Sequence, residues 1–481
     1  MTDKMAAYAD GVGAPAARLE PDAIGVAQDT TIGMANSAPA VSVGLTLATL
    51  AIGTAYGSGP IILLTAIPML IIANAYRRLN LWNANCGASF EWVGRAINPY
   101  LGFMTGWLMV TGSLIGTISG VIVLAPSVLA IFGSSTTNKL DNILISFAVI
   151  LVMLAIAIIG IKLTARTQVG IAAIEYTILI GFSIVGLIFV IHHHPGTFAI
   201  SGGWFSLTGI AGKGNVAGGF LAAVFMYTGW DGTVYVNEET KHRRVNPGRA
   251  AMIAVIALAI IYAFVTFGLQ GVISPHKLGI AGNNGTALVT VAQAMGGSGW
   301  EKVMALALAL SVIASTGTGI VLISRLIYGM ASHRVLPESL SNVSRRFATP
   351  INATVVIGVV LLLATLLFLL ISSIQDAFFD VVSVTGVLYA AFYVLTALAA
   401  IVYFRRRVMS NVMSALVLGI LPLLSAAFLV WLIERSIQTQ SSAIENWTIV
   451  VVVGLGLILM LVARFGLKSS FFRIPRESDS A

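Results

Sequence analysis

Two short stretches combine helix-breaking residues with polar groups inside otherwise apolar runs: Asn36-Ser37-Ala38-Pro39-Ala40 and Thr228-Gly229-Trp230-Asp231-Gly232. In hydrocarbon every backbone N–H and C=O needs a partner, so an interrupted helix persists only where it is buried in protein or lines a cavity. Each interruption leaves N–H groups on one side and C=O groups on the other. Such ends suit the binding of anions and cations. Pro39 withdraws a backbone donor and strains the turn before it. Asp231 lies within the second break, where a carboxylate can read a polar or cationic ligand group, couple the break to proton movement, or cap the half-helix that follows. A third feature is Glu175, in the apolar run 171–178 with no basic residue within a helical turn. A carboxylate at mid-membrane is costly when charged, which makes Glu175 a candidate proton carrier. The alternatives are a structural Glu bonded to a neighbouring helix, or one near the membrane surface.

The elements that must hold these groups are transmembrane helices. Mean hydropathy over the 481 residues is +0.93 and only 10% of them are charged, against roughly 25% in soluble domains. A span needs about 20 mostly apolar residues. About twelve such runs occur, near 32–55, 60–76, 101–132, 142–161, 169–192, 216–236, 250–273, 303–330, 351–371, 381–404, 412–433 and 447–465. The fold class expected is therefore an all-α polytopic membrane protein. The two breaks fall five spans apart, so the second unit enters the membrane from the opposite side. Paired breaks in inverted halves point to a transporter binding site.

Charge sets the orientation. With the N-terminus in the cytoplasm, only Lys139, Lys213, Lys277, Lys302 and Arg435 of the 27 Lys and Arg face outward, as the positive-inside rule requires. The net charge of +8 follows from the inner loops and calls for no nucleic acid. Both termini are expected in the cytoplasm of a plasma membrane, with a bacterial inner membrane as the leaning. Residues 1–29 lack the basic start and apolar core of a signal peptide and read as a disordered tail. Cys86 is the one cysteine, so no intramolecular disulfide is expected. The adjacent His192-His193-His194 cannot place three ligands on one helix face, and no metal is expected. No P-loop or catalytic cluster is evident, so neither an enzyme nor an ATP-driven pump is expected.

Three segments resemble one family. Gly229-Trp230-Asp231, then Glu238-Glu239-Thr240-Lys241 and Pro247, are similar to the sixth span of amino acid–polyamine–organocation superfamily permeases. Ser324-Arg325-Leu326-Ile327-Tyr328-Gly329-Met330-Ala331, with Leu336-Pro337 and Thr349-Pro350, resembles the eighth span and the loop after it. Ala75-Tyr76-Arg77-Arg78-Leu79, with Asn98-Pro99-Tyr100-Leu101-Gly102-Phe103 and Gly106-Trp107, resembles the end of span two and the start of span three. At the first break many members carry Gly-Ser-Gly where this chain has Ser37-Ala38-Pro39.

The resemblance implies a LeuT-like fold: inverted five-helix repeats over 30–195 and 214–407, two further spans over 408–467, and a tail over 468–481. It implies an amino acid or related amine as substrate. N–H groups at Asn36, Ser37, Ala38 and the turn past Pro39 would then meet the substrate carboxylate, and carbonyls at Phe225, Met226 and Thr228 the ammonium. Phe225 falls where the family places an aromatic lid, with Tyr227 and Trp230 as alternative gates. Some proton-coupled members carry a Lys seven residues after a Gln; here that Gln is Gln168 and the aligned residue is Glu175. Arg325 is expected to snorkel or to pair with an inner acid such as Glu91. Glu238, Glu239, Lys241, Arg243 and Arg244 are expected to form an inner gate or ion-pair network. The function expected is proton-coupled symport, driven by the proton gradient without a cofactor, sodium being less favoured. The competing readings are an amino acid/amine exchanger and, from another class, a transport-like nutrient receptor. Oligomeric state is not written in the sequence.

Overall fold

A computed structural model describes residues 18–54, 58–134, 138–205, 216–274, 276–278, 287–371, 378–439 and 443–479. Most of the expected N-terminal tail, residues 1–17, lies outside the described residues. Among the described residues the regular structure is helical: α1 (Val26–Asn36), α2 (Pro39–Thr54), α3 (Ser58–Trp82), α4 (Ser89–Ala96), α5 (Pro99–Ile131), α6 (Lys139–Ile159) and α7 (Ile161–Ile191). After α8 (Val216–Met226) and a tight 3-10 helix, Trp230–Glu239, come α9 (Asn246–Leu269), α10 (Ala287–Gly296), α11 (Ser298–Ser332), α12 (Ile351–Leu370), α13 (Phe378–Tyr403), α14 (Leu421–Thr439) and α15 (Ala443–Leu461).

Ten helices among the described residues are long and apolar enough to cross a membrane. Their outward faces are apolar too: Ile253, Ile256 and Ile260 on α9 and Val356, Val359 and Leu363 on α12 are exposed. Apolar surface on that scale needs lipid or protein against it, so the chain is an integral membrane protein. The centre is α11, buried along most of its length, packed between α5 and α7.

The first and sixth expected spans are not among the ten, because each is divided. The first separates into α1 and α2 around Ser37 and Ala38; the sixth into α8 and Trp230–Glu239 around Gly229. α1 also starts earlier than expected, at Val26, with Asp29 buried and Ile24 bridged to Thr240. Part of the stretch assigned to a tail therefore belongs to the packed core. α7 likewise begins at Ile161 rather than near 169. Lys162 and Arg166 sit exposed on its first turns and do not interrupt it.

The last described residues fold back as a strap. Phe471 is fully buried, stacked on Phe90 at 4.2 Å, and Phe472 lies against Tyr100 and Phe103. Ser469 Oγ donates to the His333 carbonyl at 2.6 Å, Glu477 pairs with Arg95 at 2.8 Å, and Asp479 N donates to the Tyr403 carbonyl at 3.0 Å. The strap thereby joins α4 to the ends of α11 and α13. Gly94 makes room for it: a Cβ there would fall 2.5 Å from Phe471 Cζ.

Candidate functional site

At the first break α1 ends by tight turns. Ser37 N donates to Met34 O and Ala38 N to Ala35 O, each at 3.1 Å. Ala38 has φ +44°, a conformation L-residues rarely hold except where the surroundings enforce it. Pro39 opens α2, where its missing N–H has no helical partner to lose. Ser42 closes the junction, its Oγ donating to Ser37 O at 2.6 Å and its N to Ala38 O at 2.8 Å. Ala40 N donates to Glu175 Oε1 at 3.0 Å. The N–H groups of Ser37, Ala38 and Ala40, expected to be open, thus already have protein partners.

At the second break Thr228 turns back onto α8, its N and Oγ1 both donating to Phe225 O at 3.0 and 2.8 Å. The Phe225 carbonyl, expected to await an ammonium, is therefore doubly engaged. Gly229 follows with φ +101°, and a Cβ there would lie 2.8 Å from Asn36 C and 2.9 Å from Ser37 N. Only glycine suits both that conformation and that approach. Asn36 Nδ2 donates to Gly229 O at 3.1 Å, so the breaks touch.

Between them lies a cavity of about 50 Å³. Asn36, Ser37, Ala38, Phe225 and Thr228 form one side, with Val41 and Ser42 of α2. Ser113, Gly116, Thr117, Ser119 and Gly120 of α5 form the other, closed by Ser315 of α11 and by Thr385 and Tyr389 of α13. Ser113 Oγ and Tyr389 Oη are hydrogen-bonded at 2.8 Å. Among the described residues no ionisable Asp, Glu, Lys, Arg or His lines the cavity.

Pro39, Met226, Tyr227, Trp230, Asp231 and Glu175 do not line it. Met226 is buried, and Tyr227 Oη donates to Ile62 O at 3.1 Å. Trp230 stacks on Tyr393 at 5.4 Å and meets Tyr76 edge-on, so its ring is locked in an aromatic cluster. Asp231 Oδ1 accepts from Tyr393 Oη at 2.7 Å. Phe225, half-buried, is the one expected gate residue on the wall. Sequence reasoning assigned no residue of α5 or α13 to the site. Its signal was the i, i+4 series Gly112-Ser113, Gly116-Thr117, Gly120, which puts small and hydroxyl groups on one face of a helix.

Arg325 and Glu239 form a fully buried bidentate pair, Nε to Oε2 at 2.9 Å and Nη2 to Oε1 at 3.0 Å. The suggested pairing of Arg325 with Glu91 is corrected by this contact. Glu91 instead accepts from Arg95 Nε at 2.6 Å and contacts His333 Nε2. Glu238 accepts from Cys86 N at 3.0 Å, and Asn80 Nδ2 holds the carbonyls of Arg243 and Arg244 at 2.9 and 3.0 Å.

An all-helical membrane protein whose two interrupted helices meet at a small polar cavity has the build of a permease. Comparison with known proteins agrees: the amino acid permease family model matches residues 28–458, and the chain belongs to that family, within the amino acid–polyamine–organocation superfamily. It is 20% identical to the D-serine/D-alanine/glycine transporter of Escherichia coli K12, over 70% of this chain and 71% of that protein. It is 23% identical to the human Asc-type amino acid transporter 1, over 58% of this chain and 53% of the relative. It is 24% identical to a low-affinity putrescine importer of Escherichia coli K12, over 62% and 64%. The family and these relatives are transporters, not enzymes.

Proposed function

We propose that this protein carries an amino acid or related amine across a plasma membrane by alternating access, as a proton-coupled symporter with both termini in the cytoplasm. In this reading α1 with α2, and α8 with Trp230–Glu239, are spans one and six. With the ten long helices they bring the count to twelve, arranged as two inverted five-helix repeats and two further spans. Support comes from the contact of the two breaks at Asn36 and Gly229 and from the places of the breaks, five spans apart. The relatives' substrates, small amino acids and putrescine, support the substrate class.

The observation that carries proton coupling is the Glu175 carboxylate on Ala40 N at the start of α2. A carboxylate there caps an otherwise unpaired donor and meets the positive end of a helix. Protonation weakens both interactions, so proton occupancy and the set of α2 against α7 become linked. The same helix end faces the cavity through Val41 and Ser42, within reach of a substrate carboxylate.

Uptake of labelled amino acids and amines into proteoliposomes, with and without an imposed inward proton gradient, tests this. Accumulation only under the gradient is expected. Uptake independent of the gradient and seen only with preloaded vesicles would indicate exchange, and tight binding without flux a receptor.

A further inference from the structure

We infer that the α5–α13 wall of the cavity restricts the substrate to small amino acids without a charged side chain, of the size of glycine, alanine and serine, and that Gly116, Gly120 and Thr385 set this limit. The inference rests on the transport reading above and narrows it. If the substrate's backbone groups face the two breaks, its side chain meets the opposite wall.

That wall carries no ionised side chain, and five of the hydroxyls around the cavity have already given their proton to a backbone carbonyl. Thr117 Oγ1 donates to Ser113 O and Ser119 Oγ to Ile115 O, both at 2.8 Å. Ser315 Oγ donates to Val312 O at 3.1 Å, Thr228 Oγ1 to Phe225 O at 2.8 Å and Ser42 Oγ to Ser37 O at 2.6 Å. A hydroxyl has one proton and two lone pairs, so what these five offer a ligand is acceptor capacity. Neutral acceptors suit one ammonium or a hydroxyl donor. They offer no counter-charge to a second amine, and the lining holds no Lys, Arg or His to meet a second carboxylate. A charge buried without a partner is strongly disfavoured. Asp231, the carboxylate within the second break, is not on the wall and accepts from Tyr393.

Size acts in the same direction. About 50 Å³ is room for roughly four water molecules, too little for an aromatic or long aliphatic side chain. Two of the wall positions, Gly116 and Gly120, lack a Cβ. At Gly116 a Cβ would rest 3.4 Å from Thr385 Cγ2, and at Gly120 3.6 Å from Val312 Cγ1. Both are ordinary contacts, so alanine fits each position, and at Gly116 its methyl stands against Thr385, which itself lines the cavity.

The test is proteoliposome uptake of labelled glycine, alanine, serine, leucine, phenylalanine, lysine and putrescine at equal concentration, by the intact chain and by Gly116→Ala, Gly120→Ala and Thr385→Ser. Wild-type uptake is expected for the first three alone. One added methyl in a close-fitting site is worth about tenfold or more, so at least one alanine variant should lower the serine-to-glycine ratio by that factor. Thr385→Ser removes the methyl facing Gly116 and should raise the leucine-to-glycine ratio. Lysine, putrescine or phenylalanine carried as well as serine overturns the inference but leaves transport standing. An unchanged serine-to-glycine ratio in both alanine variants also overturns it. No uptake of any compound by well-folded wild type contradicts the transport reading itself.

Discussion

Glu175 Oε1 accepts the Ala40 N–H at 3.0 Å and so fastens α7 to the first free donor of α2. One side chain, 135 residues along the chain from the break, stands where the break's own proline has removed a donor and left its neighbour open. The position Glu175→Gln is informative because Gln keeps an acceptor for Ala40 N while losing the charge. Glu175→Leu removes both, and we expect it to lower thermal stability in detergent as well as uptake, by about 1–3 kcal/mol for the buried donor left unpaired. Equal stability of the Gln and Leu variants would contradict a capping role.

Gly229 is the point where the two breaks meet. Gly229→Ala places a methyl against the backbone of Asn36 and Ser37 in a left-handed conformation, at a cost of about 1–3 kcal/mol for the dihedral alone. We expect uptake to fall by about a hundredfold, as for an ångström-scale misplacement at a reacting or binding centre. Gly133→Ala is the control: it also has positive φ, +69°, but its nearest outside atom is Lys302 Nζ at 3.9 Å, away from the cavity. Comparable loss of uptake in both variants would show that strain, not contact between the breaks, is responsible.

The Arg325–Glu239 pair is buried at both ends. Removing one member leaves a naked charge, costing about 3–5 kcal/mol. Arg325→Ala and Glu239→Ala should each lower the melting temperature sharply, while Arg325→Met combined with Glu239→Leu should recover most of the loss. No recovery in the double variant would mean that the pair does more than balance charge.

The strap answers to acid through Glu91. Burial alone would raise the Glu91 carboxyl, but His333 and Arg95 outweigh it and hold the group below its ordinary value of 4.5. A carboxyl depressed in the folded state contributes stability that is full above its unfolded pKa and is lost as pH falls through the folded one. Stability should therefore decline as pH drops below about 4.5, and Glu91→Gln should flatten that decline. Phe471→Ala, which empties the stack on Phe90, should cost about 3 kcal/mol. An unaltered acid profile in Glu91→Gln would remove Glu91 from the strap's stability.

What could be read from the sequence was what is local. Apolar run length marked the long helices, and the breaks at 36–40 and 228–232 lie where the helices stop, because Pro39 and Gly229 act on their own backbone. What could not be read depends on partners distant in the chain. Arg325 had several acids within plausible reach, and the choice of Glu239 comes from the packing of Trp230–Glu239 against α11. Trp230 was a reasonable gate by position, but Tyr76 and Tyr393 hold its ring. Phe471 and Phe472, in a short polar tail, carry no periodic signal, and the groove that receives them exists only once Gly94 and Phe90 are in place. Asp29 was assigned to a tail because the polar residues near it hid the start of α1.

The most direct measurement is the pH-gradient dependence of uptake by Glu175→Gln beside the wild type, in proteoliposomes at matched protein density. Proton coupling through Glu175 predicts that the variant still equilibrates substrate, or exchanges it with a preloaded pool, but no longer accumulates it when the outside is made acidic. Accumulation of the same size in both proteins would contradict it and move the proton to another group.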